Sequence, residues 1–461
     1  METITSEAQW IEVFNSISLE FQLEQIKIYG KYDDQSTDDY DSEDDFDHHE
    51  DDSSGEERST PSPDTIFDNR MIQMRPLFAL QPTLESICND RRAQLINSAF
   101  TIYRFTPPYE FSINELQKLA DDLKCTFHLW GHNLKELYIR DYPYQILQTI
   151  NTICPNLKKL WLDMEELDSE DCENAFSNMA HLEELEITWS SKNSTLPTSL
   201  IKSIEQVGGT LKSLRLINVS EADRRLPDSF VSVFPRLIVL EYLYLYGFGD
   251  LNQALIQSIA EIESLVDLEL IPIWVEDLQS TMNPIGNLKN LKRLNIRTDC
   301  GVTDEFLINL GNNAKNLNEL TIDGTSITDR GIMALNKCTQ LEILGLNSRP
   351  STKNNEFITD QSVEYLFFNK KLERLNISNC IKITHSAVLK LAKHLTNLRE
   401  LYLKKTLLTV ELAKELRNIT EYRKKSLWIY VSKEQYDCFN SLESDKLCFI
   451  IQRDSFDIYK H

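Results

Sequence analysis

The feature that most restricts this chain is a spacing of apolar residues, Leu-x-x-Leu-x-Leu/Ile, which returns eleven times. It begins at Leu134, Leu157, Leu182, Leu211, Leu240, Leu265, Leu291, Leu317, Leu341, Leu372 and Leu398, at intervals of 23 to 31 residues. A unit of that length cannot bury its apolar face alone, so successive units must stack and share one continuous core. Stacking also resolves a problem of size, because 461 residues exceed what a single compact core holds.

The unit is readable at residue level. In Leu317-Asn-Glu-Leu320-Thr-Ile322, Leu320 and Ile322 alternate with polar residues, so a strand sends them to one face and Thr321 to the other. Ser326-Ile-Thr328-Asp329 follows, and Thr or Asp there suits a helix N-cap. Ile332, Leu335 and Cys338 then recur at helical spacing. The same punctuation returns at Val302-Thr303-Asp304, Ile358-Thr359-Asp360 and Ile383-Thr384-His385. The longest interval is explained by a polar insertion, Ser348 to Phe357, expected to form a loop. The expected fold class is α/β, a solenoid or horseshoe of about eleven strand-turn-helix repeats. Its parallel strands line a concave face, with the helices on the convex face.

These residues resemble the cysteine-containing subclass of leucine-rich repeats, best known from F-box/leucine-rich-repeat proteins. The resemblance is strongest from Leu291 to Leu416, and the Thr-Asp punctuation is missing from Leu134 to Leu270. Near the start, Trp10 to Leu23 is amphipathic, with Ile11, Phe14, Ile17, Leu19 and Leu23 on one apolar face. It resembles the opening of an F-box, although the usual Leu-Pro is absent. A second fragment of that module follows only at Ser86 to Arg91. The resemblance implies that Ile11, Phe14, Ile17, Leu19 and Leu23 dock onto a Skp1-like adaptor. The concave repeats would then recruit a target to a Skp1-cullin-type ubiquitin ligase whose chemistry lies in other subunits. The residues alone also allow an amphipathic helix packed on the end of the stack.

Charge divides the chain further. The formal net charge is -24, and the stretch from Lys31 to Asp64 carries fifteen acids against Lys31 and Arg58. Such a run cannot bury enough apolar surface to fold and is expected to be a disordered linker. Ser36, Ser42, Ser53 and Ser54 each precede an acid by three positions, a pattern suited to acidophilic kinases. An acidic chain repels nucleic acid and anionic membranes and favours basic protein partners. The expected organisation is 1–30, an F-box-like helical segment; 31–65, the acidic linker; 66–130, a helical region capping the solenoid; 131–425, the solenoid; and 426–461, a C-terminal cap. In that cap Leu427 to Val431 is expected to be a final strand, and Leu447 to Ile451 another that folds over the last core layer.

Chemistry is sparse. Nine cysteines form no Cys-x-x-Cys and read as free thiols of a reducing compartment. Met1 to Trp10 has no Lys or Arg and does not read as a secretory signal, so the expected location is cytoplasmic or nuclear. His128 and His132 stand four apart but lack the metalloprotease Glu, and His48 and His49 lie among carboxylates. No cofactor, metal or catalytic constellation is expected, nor any membrane or nucleic-acid partner. The expected state is a monomer within a larger complex.

Partner binding is expected on the strand positions between the leucines. Their central column reads Tyr138, Trp161, Glu186, Arg215, Tyr244, Glu269, Asn295, Thr321, Gly345, Asn376 and Tyr402. Aromatics and arginines anchor interfaces most often, which selects Tyr138, Trp161, Arg215, Tyr244, Tyr246 and Arg297. The alternative is that neighbouring tyrosines stack to cover their own sheet. Two further readings of function need no ligase: a scaffold for a basic protein, and a repeat protein that regulates an enzyme by capping it.

Overall fold

The computed structural model describes residues 101–451, apart from 106–122, 125–126, 129, 141–145, 165–168, 191–195, 221–223, 250, 272–280, 298–300, 324–325, 347–353 and 407–408. The adaptor face of Ile11, Phe14, Ile17, Leu19 and Leu23, the acidic linker and His48 and His49 lie outside the described residues.

Among the described residues, fourteen strands form one sheet, every neighbouring pair parallel. They are β1 (Ile102–Phe105), β2 (Glu136–Ile139), β3 (Lys159–Met164), β4 (Glu184–Trp189), β5 (Ser213–Asn218), β6 (Tyr242–Tyr246) and β7 (Asp267–Ile271). The sheet continues through β8 (Arg293–Ile296), β9 (Glu319–Ile322) and β10 (Ile343–Gly345). A short pair, β11 (Asn355–Thr359) and β13 (Cys380–Lys382), stands apart. β12 (Arg374–Asn376), β14 (Glu400–Tyr402), β15 (Leu427–Val431) and β16 (Leu447–Ile451) complete the large sheet. Eleven strands, β2 to β10 with β12 and β14, carry the leucine motif. This is a leucine-rich-repeat fold.

Every unit repeats one physical solution. The three motif leucines turn inward, so that Leu134, Leu137 and Ile139 are buried, as are Leu317, Leu320 and Ile322. Leu160, Leu185, Leu294 and Leu375 are at most 1% exposed. Apolar burial runs as one cluster from Tyr103 to Phe449. The backbone joins the layers at the start of each strand. Lys135 O accepts from Lys158 N at 2.7 Å and Lys159 N at 3.0 Å, and the same forked bond recurs from Lys158 O, Glu183 O and Lys212 O onward. The polar backbone of each strand is thus satisfied by its neighbours, as burial requires.

The Thr-Asp punctuation caps helices and ties layers together. Thr303 caps α5 (Asp304–Asn313), Thr328 caps α6 (Asp329–Ala334) and Thr359 caps α7 (Asp360–Leu366). These follow α1 (Leu147–Ile153), α2 (Thr198–Gln206), α3 (Phe230–Val233) and α4 (Gln253–Ala260) in chain order. The aspartates reach the next unit: Asp304 Oδ2 accepts from Thr328 Oγ1 at 2.6 Å, Asp329 Oδ2 from Thr359 Oγ1 at 2.7 Å, and Asp360 Oδ2 from Thr384 Oγ1 at 2.6 Å. In the looser N-terminal units a different residue does related work. Asp171 Oδ2 accepts from Ile146 N at 2.8 Å and Leu147 N at 3.0 Å, covering the first turn of α1 from the following unit.

Four expectations need correction. The region 66–130 is not purely helical, because β1 lies within it and extends the sheet. Tyr103 is buried there without the leucine spacing that marked the other strands. The C-terminal strands do not fold over the last layer. β15 and β16 continue the sheet in parallel register, and the helices α8 (His385–His394), α9 (Val410–Thr420) and α10 (Lys433–Phe439) precede β14, β15 and β16 in turn. The end of the polar insertion is not loop but β11, which pairs with β13 at Asn355–Cys380 and Thr359–Lys382. Finally, among the described residues not every unit holds an α-helix. The described residues between β3 and β4 are turns, with Cys172, Phe176 and Met179 filling the core, and between β7 and β8 only the 3-10 turn Ile285–Asn287 is described. Filling the layer matters more than helicity.

Candidate protein-binding surface

Strand side chains opposite the leucines form rows across the sheet, because parallel register places equivalent residues side by side. The central row runs Arg104, Tyr138, Trp161, Glu186, Arg215, Tyr244, Glu269, Asn295 and Thr321. It brings together four of the six residues singled out from sequence, and Tyr246 stands two residues beyond Tyr244 on the same strand. Tyr138 and Trp161 meet edge to face, with ring centroids 4.3 Å apart, and the Arg104 guanidinium lies 4.3 Å above the Tyr138 ring. Trp161 is 37% exposed, high for an indole in a sheet.

The second cluster is larger. Tyr242, Tyr244 and Tyr246 of β6 stack in sequence, with centroids 6.5 and 6.3 Å apart. Arg215, one strand over, places its guanidinium 4.3 Å from the Tyr244 centroid. It also donates to Tyr242 Oη at 3.2 Å and pairs with Glu186 Oε2 at 2.8 Å. Burial raises the pKa of Tyr244 and of Glu186, with Arg215 opposing the shift in both. Gly247 ends this strand at φ +82, and a Cβ there would lie 1.8 Å from the carbonyl oxygen of Asn218. Only glycine permits that close approach. Arg297 does not join the surface: it is 7% exposed, so its guanidinium is within the fold rather than offered to a partner.

The row at the start of the strands was not singled out from sequence. It reads Glu136, Lys159, Glu184, Ser213, Tyr242, Asp267, Arg293, Glu319, Ile343, Arg374 and Glu400. Opposite charges meet along it: Lys159 with Glu184 at 3.0 Å, Arg293 with Asp267, and Arg374 with Glu400 at 2.7 Å. The available signal was alternation of sign at one motif position from repeat to repeat. Further along, Tyr402 and Tyr430 stack at 4.1 Å beside the 45% exposed Trp428.

The remaining chemistry is structural. His128 and His132 are both exposed. The thiols of Cys154 and Cys380 are pushed up to about 12 and that of Cys338 to about 11 by burial, which leaves them protonated and unreactive near neutrality. No group of three His, Cys, Asp or Glu among the described residues is arranged to hold a metal ion. No helix among them is long and apolar enough to cross a membrane.

No family model matches the chain, and no curated protein matches it. Solved structures resemble it distantly. An internalin (inlF) from Listeria monocytogenes aligns at 18% identity over 74% of this chain and 92% of that one, with a TM-score of 0.45. A chain of the yeast Rad7 and Elc1 complex aligns at 15% identity over 86% of this chain and 99% of that one, with a TM-score of 0.49. The structure of TLR13 with ssRNA13 aligns at 13% identity over 77% of this chain and 62% of that one, with a TM-score of 0.43.

Proposed function

We propose that this chain is a protein-binding receptor. Its strand face holds a protein target, and its N-terminal segment carries that target to a Skp1-cullin-type ubiquitin ligase. The observation that carries the first half is the side-by-side placement of Tyr138, Trp161, Arg215, Tyr244 and Tyr246 on one strand face, with Trp161 substantially exposed. Large aromatics and arginines at the centre of a surface supply most of the energy of protein association. The second half rests on the F-box-like residues Ile11, Phe14, Ile17, Leu19 and Leu23. A scaffold without a ligase uses the same face and is the competing reading, favoured by the acidic balance of the chain.

Two measurements separate these readings. Affinity capture with the full-length chain, before and after Tyr244→Ser with Trp161→Ala, tests the face: recovered proteins should fall about tenfold or more while the circular dichroism is unchanged. Equal recovery would remove the face from consideration. Recovery of Skp1 by the full chain, and its loss on deletion of 1–30, tests the ligase half. Capture that is rich in other proteins but lacks Skp1 leaves the scaffold reading in place.

A further inference from the structure

Resting on the strand-face reading, we propose that the face over β7 to β9 accepts lysine or arginine side chains from a basic segment of the partner protein. Some polar groups of this face are already used. Asp267 is paired with Arg293, and Arg374 bonds Glu400 through two nitrogens at 2.7 and 3.1 Å. Glu269, two residues after Asp267 on β7, has a different environment. Its Oε1 accepts from Tyr242 Oη at 3.0 Å and its Oε2 from Asn295 Nδ2 at 3.1 Å, both neutral donors. Glu319 is further from satisfaction. No lysine or arginine lies within ion-pair distance of it among the described residues, and the nearest cations, Arg293 and Arg374, are bonded to other carboxylates.

Two neutral groups point the same way. Asn295 commits its amide donor to Glu269, and its buried Oδ1 has no donor. Thr321 is 1% exposed, and its Oγ1 has no hydrogen-bond partner. Asn295 and Thr321 are register partners in the central row, and Glu319 stands two residues before Thr321 on the same side of β9. Glu269, Asn295, Thr321 and Glu319 therefore form a connected set dominated by acceptors. Its flanking charges, Asp267, Arg293, Arg374 and Glu400, cancel among themselves.

A buried acceptor without a donor has given up its water and received nothing in return, so a set of them is unfavourable until donors arrive. An ammonium or a guanidinium brings three or five donors and no acceptor. The adjoining tyrosines add ring faces, and the chain itself shows how they take a cation, in the contact of Arg215 with Tyr244. Burial raises the pKa of Glu319, the nearby Asp267 and Glu269 add to the rise, and Arg293 and Arg374 oppose it.

The test uses a fluorescein-labelled peptide of alternating arginine and glycine, with a glutamate-glycine peptide as control, titrated at physiological salt into full-length protein. The acidic stretch 33–57 would attract the same peptide, so the background is a full-length variant with its Asp and Glu changed to Asn and Gln. In that background the arginine peptide should bind and the glutamate peptide should not. Glu269→Gln with Glu319→Gln should weaken binding about tenfold or more. Each single change should weaken it by less, and Thr321→Val should do so without altering charge. Binding that vanishes with the acidic stretch, or that ignores the glutamate changes, overturns the proposal. Capture that depends on Tyr244 and Trp161 while the arginine peptide neither binds nor competes leaves the surface standing and this chemistry refuted.

Discussion

Arg423 is a charged residue inside the stack, 7% exposed, in a place where the neighbouring layers hold neutral groups. Two layers earlier the equivalent closure is made by Asn369, whose amide donates to Leu335 O at 3.0 Å and Cys338 O at 2.9 Å. Arg423 reaches more of the chain end of its neighbour. Its guanidinium donates to Ala392 O in the last turn of α8 and to Leu395 O, Thr396 O and Leu398 O just beyond it. Burial lowers its pKa, yet arginine stays charged, and the four carbonyls are what make the burial tolerable. Arg423→Met should cost about 3 kcal/mol locally, through orphaned carbonyls. Hydrogen exchange across 385–431 should then speed up about a hundredfold. Arg423→Lys should not restore protection, because one ammonium cannot span four acceptors. Unchanged exchange in the Met variant would show that water replaces the guanidinium at no cost. The sequence offered no sign of this role: a lone arginine before Lys424-Lys425 reads as part of a basic surface run.

At the scale of elements, the aspartate–threonine links decide how tightly successive helices are held. Asp329 is the best supplied, accepting from Thr359 N at 2.9 Å, Thr359 Oγ1 at 2.7 Å, Ser362 N at 3.1 Å and Ser362 Oγ. Burial pushes its pKa upward, but the hydrogen bonds from Ser362 and Thr359 outweigh it, and the carboxyl sits below its ordinary value. A depressed folded pKa means stability that is complete above the unfolded value, about 4, and lost as the pH falls through the folded value. Asp329→Asn should cost about 1–2 kcal/mol at pH 7. It should also flatten the acid limb of a stability–pH curve below about pH 4. A variant whose acid limb matches the parent's would mean that the links contribute geometry without stability. The Thr-Asp spacing was legible in sequence as a helix start. That each aspartate serves the next unit was not, because the two groups are about 25 residues apart and meet only after stacking.

For the molecule as a whole, the ends of the sheet are where the repeat loses its partner. β16 is an apolar edge, Leu447-Cys-Phe-Ile-Ile451, of the kind that pairs with other chains when left open. Here its outward groups are partly occupied. Leu447 N and O bond to Ser444, and Phe449 N donates to Glu443 Oε1 at 2.8 Å. A chain ending at residue 425 would lose both final strands and uncover Leu401, Leu403 and Leu416. It should self-associate, measured by light scattering after size-exclusion chromatography. A monodisperse, folded truncation would show that the layer of β14 closes the stack unaided.

The leucine period determined, without help, that the chain stacks parallel strands and which side of each strand faces the core. Both follow from local alternation of two residues and a motif that returns every 23 to 31 residues. It also marked Tyr138, Trp161, Arg215, Tyr244 and Tyr246 as outward strand residues. Only the tertiary structure decided that Arg297 is buried, that β1, β15 and β16 extend the sheet, and which acids and bases use each other up. Those outcomes depend on neighbours in adjacent layers. One unit's sequence carries the direction of a side chain but not the group that waits across a strand spacing of about 4.8 Å.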